Sequence, residues 1–211
     1  MALVLPELVG AGDRLLTHPR VAELYAEYLF AMHCIIRASV PLMQAARERA
    51  LTMGETDPVA AGVADYLSTH IPEEMHHDDW LLRDLEVLGS DRDVILARIP
   101  SPAVARLVGS QYYWIFHIHP VALLGYIAAL EGYPPSRSLI DDLIARTGHA
   151  RKAFRTLSAH SGLDPGHRDA LDAVLDKLPL TAEQEALVGL NAMSSLHGLA
   201  GIIDEVVGGP T

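Results

Sequence analysis

The stretch "HIPEEMHHDDWLLRDLEVLG", residues 70–89, decides how the fold is interpreted. Apolar residues recur every three or four positions through it and before it, which predicts an amphipathic helix. At 100° per residue, the apolar face is interrupted by three polar side chains, His70, Glu74 and His77. Burying a carboxylate is unfavourable unless it is paired or bound to a metal. The pattern therefore indicates metal ligands, with an ordinary surface cluster of charged residues as the alternative.

Glu74 and His77 have the Glu-x-x-His spacing that places two ligands side by side in diiron helix bundles. His77 is chosen over its neighbour His76 because only His77 lies on the apolar face. His70 lies one turn before Glu74 on that face, so it is either a competing ligand or a residue that orients Glu74.

A second stretch, "HPVALLGYIAALEGYPP" (119–135), contains one acidic residue, Glu131. Glu131 continues an apolar stripe that includes Tyr113 and His117. A carboxylate at the C-terminus of a helix is disfavoured by the helix dipole, so a purely solvent-facing Glu131 is the weaker alternative. Tyr113 and His117 are expected either to line a pocket near Glu131 or to be core residues with satisfied polar groups.

A third stretch, "HSGLDPGHRDALD" (160–172), places His160, Asp164 and His167 at positions i, i+4 and i+7. On a helix these three side chains share one face. The alternative is that Asp164 only caps a new helix that begins at Pro165.

The composition restricts the class of protein. The chain has 211 residues, 50% of them hydrophobic but only 6% aromatic, which favours one all-α domain, 1–211, with its core at about 19–207. The net charge of −11 argues against a nucleic-acid partner. Cys34 is the single cysteine, and we identify neither a signal peptide nor a membrane span. These features predict a cytoplasmic protein, and a homodimer is possible on base rates.

Turn and capping residues divide the chain into seven predicted helices. Pro120 should kink the third long helix. The predicted ranges are 19–53, 57–88, 91–97, 101–132, 136–160, a helix from 164 onward, and 181–207.

Together the three stretches offer six nitrogen and oxygen ligands and no thiolate. Such a set suits iron or manganese, and sites with two histidines and one carboxylate suit ferrous oxygen chemistry. In this order the stretches resemble the haem-oxygenase-like diiron oxidases and oxygenases, known as iron-containing redox enzymes. The resemblance extends from about 20 to 205 and rests on "EEMHHDDWLLRDLEVLG", "ALLGYIAALEG" and "HSGLDPGH".

The resemblance implies a seven-helix haem-oxygenase-like bundle that binds two Fe(II) ions, with Mn possible in their place. It implies the ligand set Glu74, His77, Glu131, His160, Asp164 and His167. It further implies dioxygen as co-substrate, a peroxo-diferric intermediate, and a small amine, amino-acid or fatty-acid-like substrate that is N-oxygenated or cleaved at a C–C bond. A substrate carboxylate would need a base such as Arg37. Since the last three ligands lie on a mobile helix in such proteins, we expect 158–170 to be irregular without metal.

Three other functions remain open. A haem enzyme of the same fold could use His18 as its axial ligand. A thiaminase-like hydrolase would need Cys34 as its nucleophile, although a mid-helix cysteine is more often an inert core residue. A non-catalytic metal-binding bundle is the third.

Overall fold

The computed structural model describes residues 3–209, and within this range it is all-helical. The predicted domain 1–211 therefore extends slightly beyond the described residues at both ends. The structure has ten α-helices in the described range where seven were predicted. They are α1 Leu5–Thr17, α2 Val21–Met53, α3 Pro58–Glu74, α4 His77–Val87, α5 Arg92–Ala97, α6 Pro102–Tyr113, α7 Leu123–Glu131, α8 Arg137–Thr147, α9 Arg155–Lys177 and α10 Ala182–Val207.

The long helix α2 forms the centre of the bundle. Helices α3 and α4 pack along it, α7 packs between α10 and α9, and α9 also contacts α4 and α8. The main core is formed by fully buried aliphatic and aromatic side chains such as Leu29, Ile35, Leu67, Leu124 and Phe154. The elements that carry the candidate ligands therefore surround one interior.

Side-chain caps begin the helices where the sequence predicted. Asp57 accepts hydrogen bonds from the backbone N–H groups of Val59 and Ala60 at the start of α3. Thr181 and Gln184 form the predicted capping box at the start of α10. Each cap satisfies N–H groups that have no partner within the helix.

The predicted helices 57–88 and 101–132 are both interrupted. The first ends at Glu74 and restarts at His77, because Met75 is extended and His76 adopts a left-handed conformation with φ 72°. The second passes through a π-helical turn, Trp114–Ile118, and a 3₁₀ turn, Pro120–Ala122. The predicted kink at Pro120 is a complete break, with an extended His119 between the two turns.

The segment with the last three candidate ligands also differs from expectation. Helix α9 is continuous from Arg155 to Lys177 and includes Gly162, Pro165 and Gly166. The prediction of a new helix beginning at 164 is therefore wrong, and 158–170 is regular helix here; that this segment is irregular in the metal-free protein stays a prediction. The predicted helix 136–160 instead ends at Thr147, where Gly148 adopts φ 67° and caps α8.

The N-terminal helix α1 was not predicted. Its Ala11 and Leu15 form a small second core with Leu24, Ala200 and Ile203, so the packed domain begins before residue 19. Two helices, α2 and α10, are long and apolar enough by length and composition to cross a membrane. Core helices of soluble proteins pass the same test, and both helices pack within the bundle.

Candidate metal centre

The candidate ligands converge from four helices. Glu74 is the last residue of α3, His77 is the first of α4, and Glu131 is the last of α7. The other three, His160, Asp164 and His167, lie along one side of α9. The backbone break at Met75–His76 lets the chain change direction between two ligands only three residues apart.

Glu74 lies between two histidines. Its Oε2 is 3.0 Å from Nδ1 of His77, and its Oε1 is 3.4 Å from Nδ1 of His167. The Glu74 carboxylate is 5% exposed, so it faces these imidazoles in an environment with little water. Each oxygen of Glu74 therefore faces a different candidate ligand.

On one side of Glu74 lie His70, Glu131 and His167. The Nε2 atom of His70 is 3.0 Å from Oε1 of Glu131, and Nδ1 of His167 is 3.6 Å from Oε2 of Glu131. The rings of His70 and His167 meet edge to face, with centroids 5.1 Å apart. One ligand atom each from His70, Glu74 and Glu131 lie within 4.8 Å of one another, close enough to share an ion.

On the other side of Glu74 lie His77, His160 and Asp164. The rings of His77 and His160 are 5.1 Å apart, and Nδ1 of His160 is 2.7 Å from Oδ1 of Asp164. Trp80 packs on His77 with ring centroids 4.0 Å apart, which shields this side from solvent.

The electrostatics are those of a buried cluster of opposite charges. Burial raises the pKa of Glu131, and the imidazole of His70 offsets this only in part. Burial would also raise the pKa of Glu74, but His77 together with the imidazoles of His160 and His70 outweighs it and holds that pKa below its usual value. Burial would lower the pKa of His160, but Asp164 together with the carboxylates of Glu74 and Glu131 outweighs it and raises that pKa. The carboxylates thus favour positive charge next to them.

Three atoms at the centre have no hydrogen-bond partner within residues 3–209. They are Oε1 of Glu74, Oε2 of Glu131 and Nδ1 of His167, all buried and facing one another. An unpaired buried polar atom destabilises a protein by about 1–3 kcal/mol. A metal cation would satisfy all three, and this set of imidazole and carboxylate donors fits iron or manganese.

A cavity of about 170 Å³ adjoins the centre. Glu74, Glu131, His160 and Asp164 lie at its polar end. In the described part of the chain, its other lining side chains are mainly apolar and include no lysine or arginine; Met32, Ile36, Ile127 and Leu130 are examples. The cavity is smaller than the roughly 300–1,000 Å³ of pockets for drug-sized ligands, so a small and largely apolar molecule fits it.

Three residues that were expected to line the substrate pocket lie away from the cavity. Tyr113 and His117 are exposed and stack on each other at the surface, and neither lines the cavity. The expectation that they lie near Glu131 is wrong. The π-helical turn and the break at His119 interrupt the regular helix, so Tyr113 and His117 do not share a helix face with Glu131. Arg37 is also exposed and does not line the cavity.

Two features of the site were not identified from the sequence. Glu73, half exposed beside Glu74, has its Oε2 3.3 Å from Nδ1 of His70 and 4.0 Å from Nε2 of His167. Buried Asp84 accepts a hydrogen bond of 2.9 Å from the backbone N–H of Thr156, one turn before His160. The sequence position of Glu73 next to Glu74 could have indicated its place at the site. Nothing in the sequence indicated the role of Asp84, because its hydrogen-bond partner is 72 residues away.

The residues proposed for a haem enzyme and for a thiaminase-like enzyme, His18 and Cys34, lie outside the cavity. Nδ1 of His18 accepts a hydrogen bond from the backbone N–H of Arg20, and His18 does not line the cavity. Cys34 is buried in the main core, where burial raises the pKa of its thiol. Neither placement favours an axial haem ligand or a nucleophilic thiolate.

The fold and the site define a helical bundle with a buried cluster of histidines and carboxylates that could hold a metal ion. A family model described as iron-containing redox enzyme matches residues 42–197. The chain belongs to this family of iron-containing redox enzymes.

Solved structures show the same fold. A domain of unknown function with a haem-oxygenase-like fold from Shewanella denitrificans OS217 has a TM-score of 0.77 and 22% identity, covering 97% of this chain and 90% of its own. A TenA homologue from Pseudomonas syringae pv. tomato DC3000 has a TM-score of 0.69 and 13% identity, covering 98% and 91%. A comparison with curated protein sequences gave no significant match. The predicted haem-oxygenase-like fold is therefore confirmed, and at these identities the structural likeness concerns the fold alone.

Proposed function

We propose that the protein is an oxygen-dependent, non-haem diiron oxidase or oxygenase that acts on a small organic molecule. The observation that carries the proposal is the arrangement around Glu74, whose two oxygens face His77 on one side and His167 on the other. Membership of the iron-containing redox enzymes supports the choice of iron. The bound iron ions would supply oxygen activation and electron transfer, which side chains alone do not.

The ligands would divide between two metal positions. His77, His160 and Asp164 would hold one ion, and Glu131 and His167 would hold the other. Glu74 would bridge the two positions, since its oxygens face both groups. Manganese satisfies the same donor types, so iron and manganese compete for these ligands.

The surrounding residues would keep water out and hold the substrate. Trp80 covers His77, and Leu81, Ile127 and Leu130 line the cavity beside the ligands. An apolar wall strengthens the interaction between the ions and the carboxylates, since it lowers the local dielectric. The Ser39 and Tyr126 side chains also line the cavity and could orient a polar group of the substrate.

The size and polarity of the cavity limit the substrate class that the family resemblance implies. A small amine, amino acid or fatty-acid-like molecule with an apolar part is consistent with about 170 Å³. Because neither Arg37 nor any other lysine or arginine of the described residues lines the cavity, a substrate carboxylate would interact with the metal centre itself. We also propose a cytoplasmic location and a homodimer, on the grounds of the single cysteine and of the frequency of dimers among soluble proteins.

The test is anaerobic loading with Fe(II), measurement of iron per chain, and measurement of oxygen consumption after mixing with air-saturated buffer. We expect two irons per chain and rapid oxygen uptake. His160→Ala should lose iron and oxygen uptake, whereas His117→Ala, which removes an exposed imidazole, should behave like the unmodified protein.

Iron binding without oxygen uptake, even in the presence of candidate amines and acids, would support the non-catalytic metal-binding protein instead. No iron binding at all would contradict the proposal outright.

A further inference from the structure

His70 and Glu73 are both absent from the six-ligand set, yet they adjoin it. His70 is 2% exposed, and Tyr66 stacks against its ring with centroids 5.1 Å apart and an interplanar angle of 19°. Its ring plane is therefore fixed by packing. In that orientation Nε2 points toward Glu131 and Nδ1 toward Glu73.

The Nε2 side of His70 has the geometry of a ligand. Nε2 lies 3.0 Å from Oε1 of Glu131. One ring nitrogen of His70 also lies within 4.8 Å of one oxygen each of Glu131 and Glu74. Two ligands that each lie about 2.1 Å from one ion, at right angles, are about 3.0 Å apart. The observed separation therefore suits two ligands of one ion as well as it suits a hydrogen bond.

The surroundings of the His70 Nδ1 atom distinguish a metal ligand from a hydrogen-bond partner of Glu131. A histidine that binds a metal almost always donates its other ring N–H to a carboxylate, a carbonyl or water. Oε2 of Glu73 is in that position, 3.3 Å from Nδ1 of His70. His167 lies near the same carboxylate, since its Nδ1 faces Glu74 and Glu131 while its Nε2 is 4.0 Å from the Glu73 oxygen, beyond hydrogen-bond distance.

We infer that His70 is a seventh ligand of the metal centre, bound through Nε2, and that Glu73 is the outer carboxylate that orients His70. The inference rests on the proposed function. It gives each metal position two imidazoles, His77 with His160 on one side and His70 with His167 on the other. Glu74 lies between the two pairs.

The inference can be tested with Co²⁺ alone, whose visible d–d bands report the ligands bound. The apoprotein is titrated anaerobically, and the stoichiometry, the affinities and the spectrum are compared for His70→Ala, His70→Gln and Glu73→Gln. A glutamine at position 70 still offers an N–H to Glu131 but is a poor metal ligand. It therefore separates ligation from hydrogen bonding.

If His70 is a ligand, both substitutions at position 70 weaken the binding of one Co²⁺ ion by more than about 100-fold and change the d–d bands. Adding free imidazole to His70→Ala should restore the bands. Glu73→Gln should keep the spectrum and weaken binding by about 10- to 100-fold, the usual effect of an outer partner. His76→Asn is the matched control, since His76 is exposed and Asn tolerates its left-handed backbone.

A His70→Gln protein that binds both ions with unmodified affinities and spectrum would overturn the inference and leave His70 as a hydrogen-bond partner of Glu131. In that case the unmodified protein would still bind two ions, and the proposed function would stand. Failure of the unmodified protein to bind any Co²⁺ would overturn both. Circular dichroism shows whether each variant is folded.

Discussion

Helices α7 and α10 approach each other closely at Gly125, and Gly125→Ala should be strongly destabilising. A methyl group at Gly125 of α7 would lie 2.2 Å from the carbonyl oxygen of Val188 and 2.8 Å from the backbone nitrogen of Ala192, both in α10. These are backbone atoms of a helix, which cannot rotate away as a flexible side chain can. The two helices would have to separate by about 1 Å to accommodate the methyl group.

The magnitude follows from two opposing effects. Overpacking a core destabilises a protein by about 1–3 kcal/mol, and a rigid backbone obstacle belongs at the upper end of that range. Alanine recovers about 1 kcal/mol through its better helix propensity. The net loss in the free energy of unfolding is therefore about 2 kcal/mol, which lowers Tm by about 4–8 °C for a domain of this size.

Gly189→Ala provides the matched control, because Gly189 lies in α10 and a methyl group there meets nothing within 4 Å. It should raise the free energy of unfolding by up to about 1 kcal/mol. Urea and thermal unfolding, followed by circular dichroism, measure both changes. A Gly125→Ala protein as stable as the unmodified one would refute the close packing of α7 on α10.

The same substitution tests how the bundle positions Glu131, which ends α7 six residues after Gly125. A displacement of about 1 Å at a catalytic centre can lower activity by about 100-fold. Gly125→Ala should therefore weaken iron binding more than Gly189→Ala does. Equal iron affinities in the two variants would show that α7 does not transmit the displacement to Glu131.

Two further predictions concern side chains that hold helix starts. Asp84→Ala should lower the free energy of unfolding by about 1–3 kcal/mol, because it leaves the buried N–H of Thr156 without its partner. Asp84→Asn should lower it less, because it keeps an acceptor oxygen there. Equal urea midpoints for the two variants would contradict this role of Asp84. For Asp57, burial would raise the pKa of the carboxyl, but the N–H of Ala60 and the imidazole of His119 outweigh it and lower that pKa. A lowered folded-state pKa means that the stabilisation is present above the unfolded value of about 3.9 and is lost as the pH falls through the lower, folded value. Asp57→Asn should therefore flatten the pH dependence of stability in that acidic window, and unchanged acid unfolding curves would count against the Asp57–His119 pair.

Helix class and helix starts follow from local chemistry. Caps such as Asp57 and Thr181 act on N–H groups two or three residues away, so the sequence shows them directly. The family and the haem-oxygenase-like fold were also recognisable from three short motifs. The six predicted ligands lie close together, and three of them, Glu74, His77 and Glu131, interrupt apolar faces that have to point inward.

The errors have a common cause, since each depended on packing between distant segments. The chain breaks at His76 and at His119, yet α9 continues through Pro165, although proline is the residue that more often interrupts a helix. A backbone break is tolerated where neighbouring helices hold both sides of it, and only the tertiary structure supplies those neighbours.

The sequence by itself determined an all-helical chain with carboxylates and imidazoles on inward faces, because hydrophobic periodicity and residue chemistry are local properties. Only the tertiary structure decided which of these groups meet. It placed Glu73 next to His70 and His167, and it formed the hydrogen bond between Asp84 and the start of α9. It also placed Tyr113 and His117 at the surface. Distances between side chains on different helices depend on how the helices pack, which no single helix encodes.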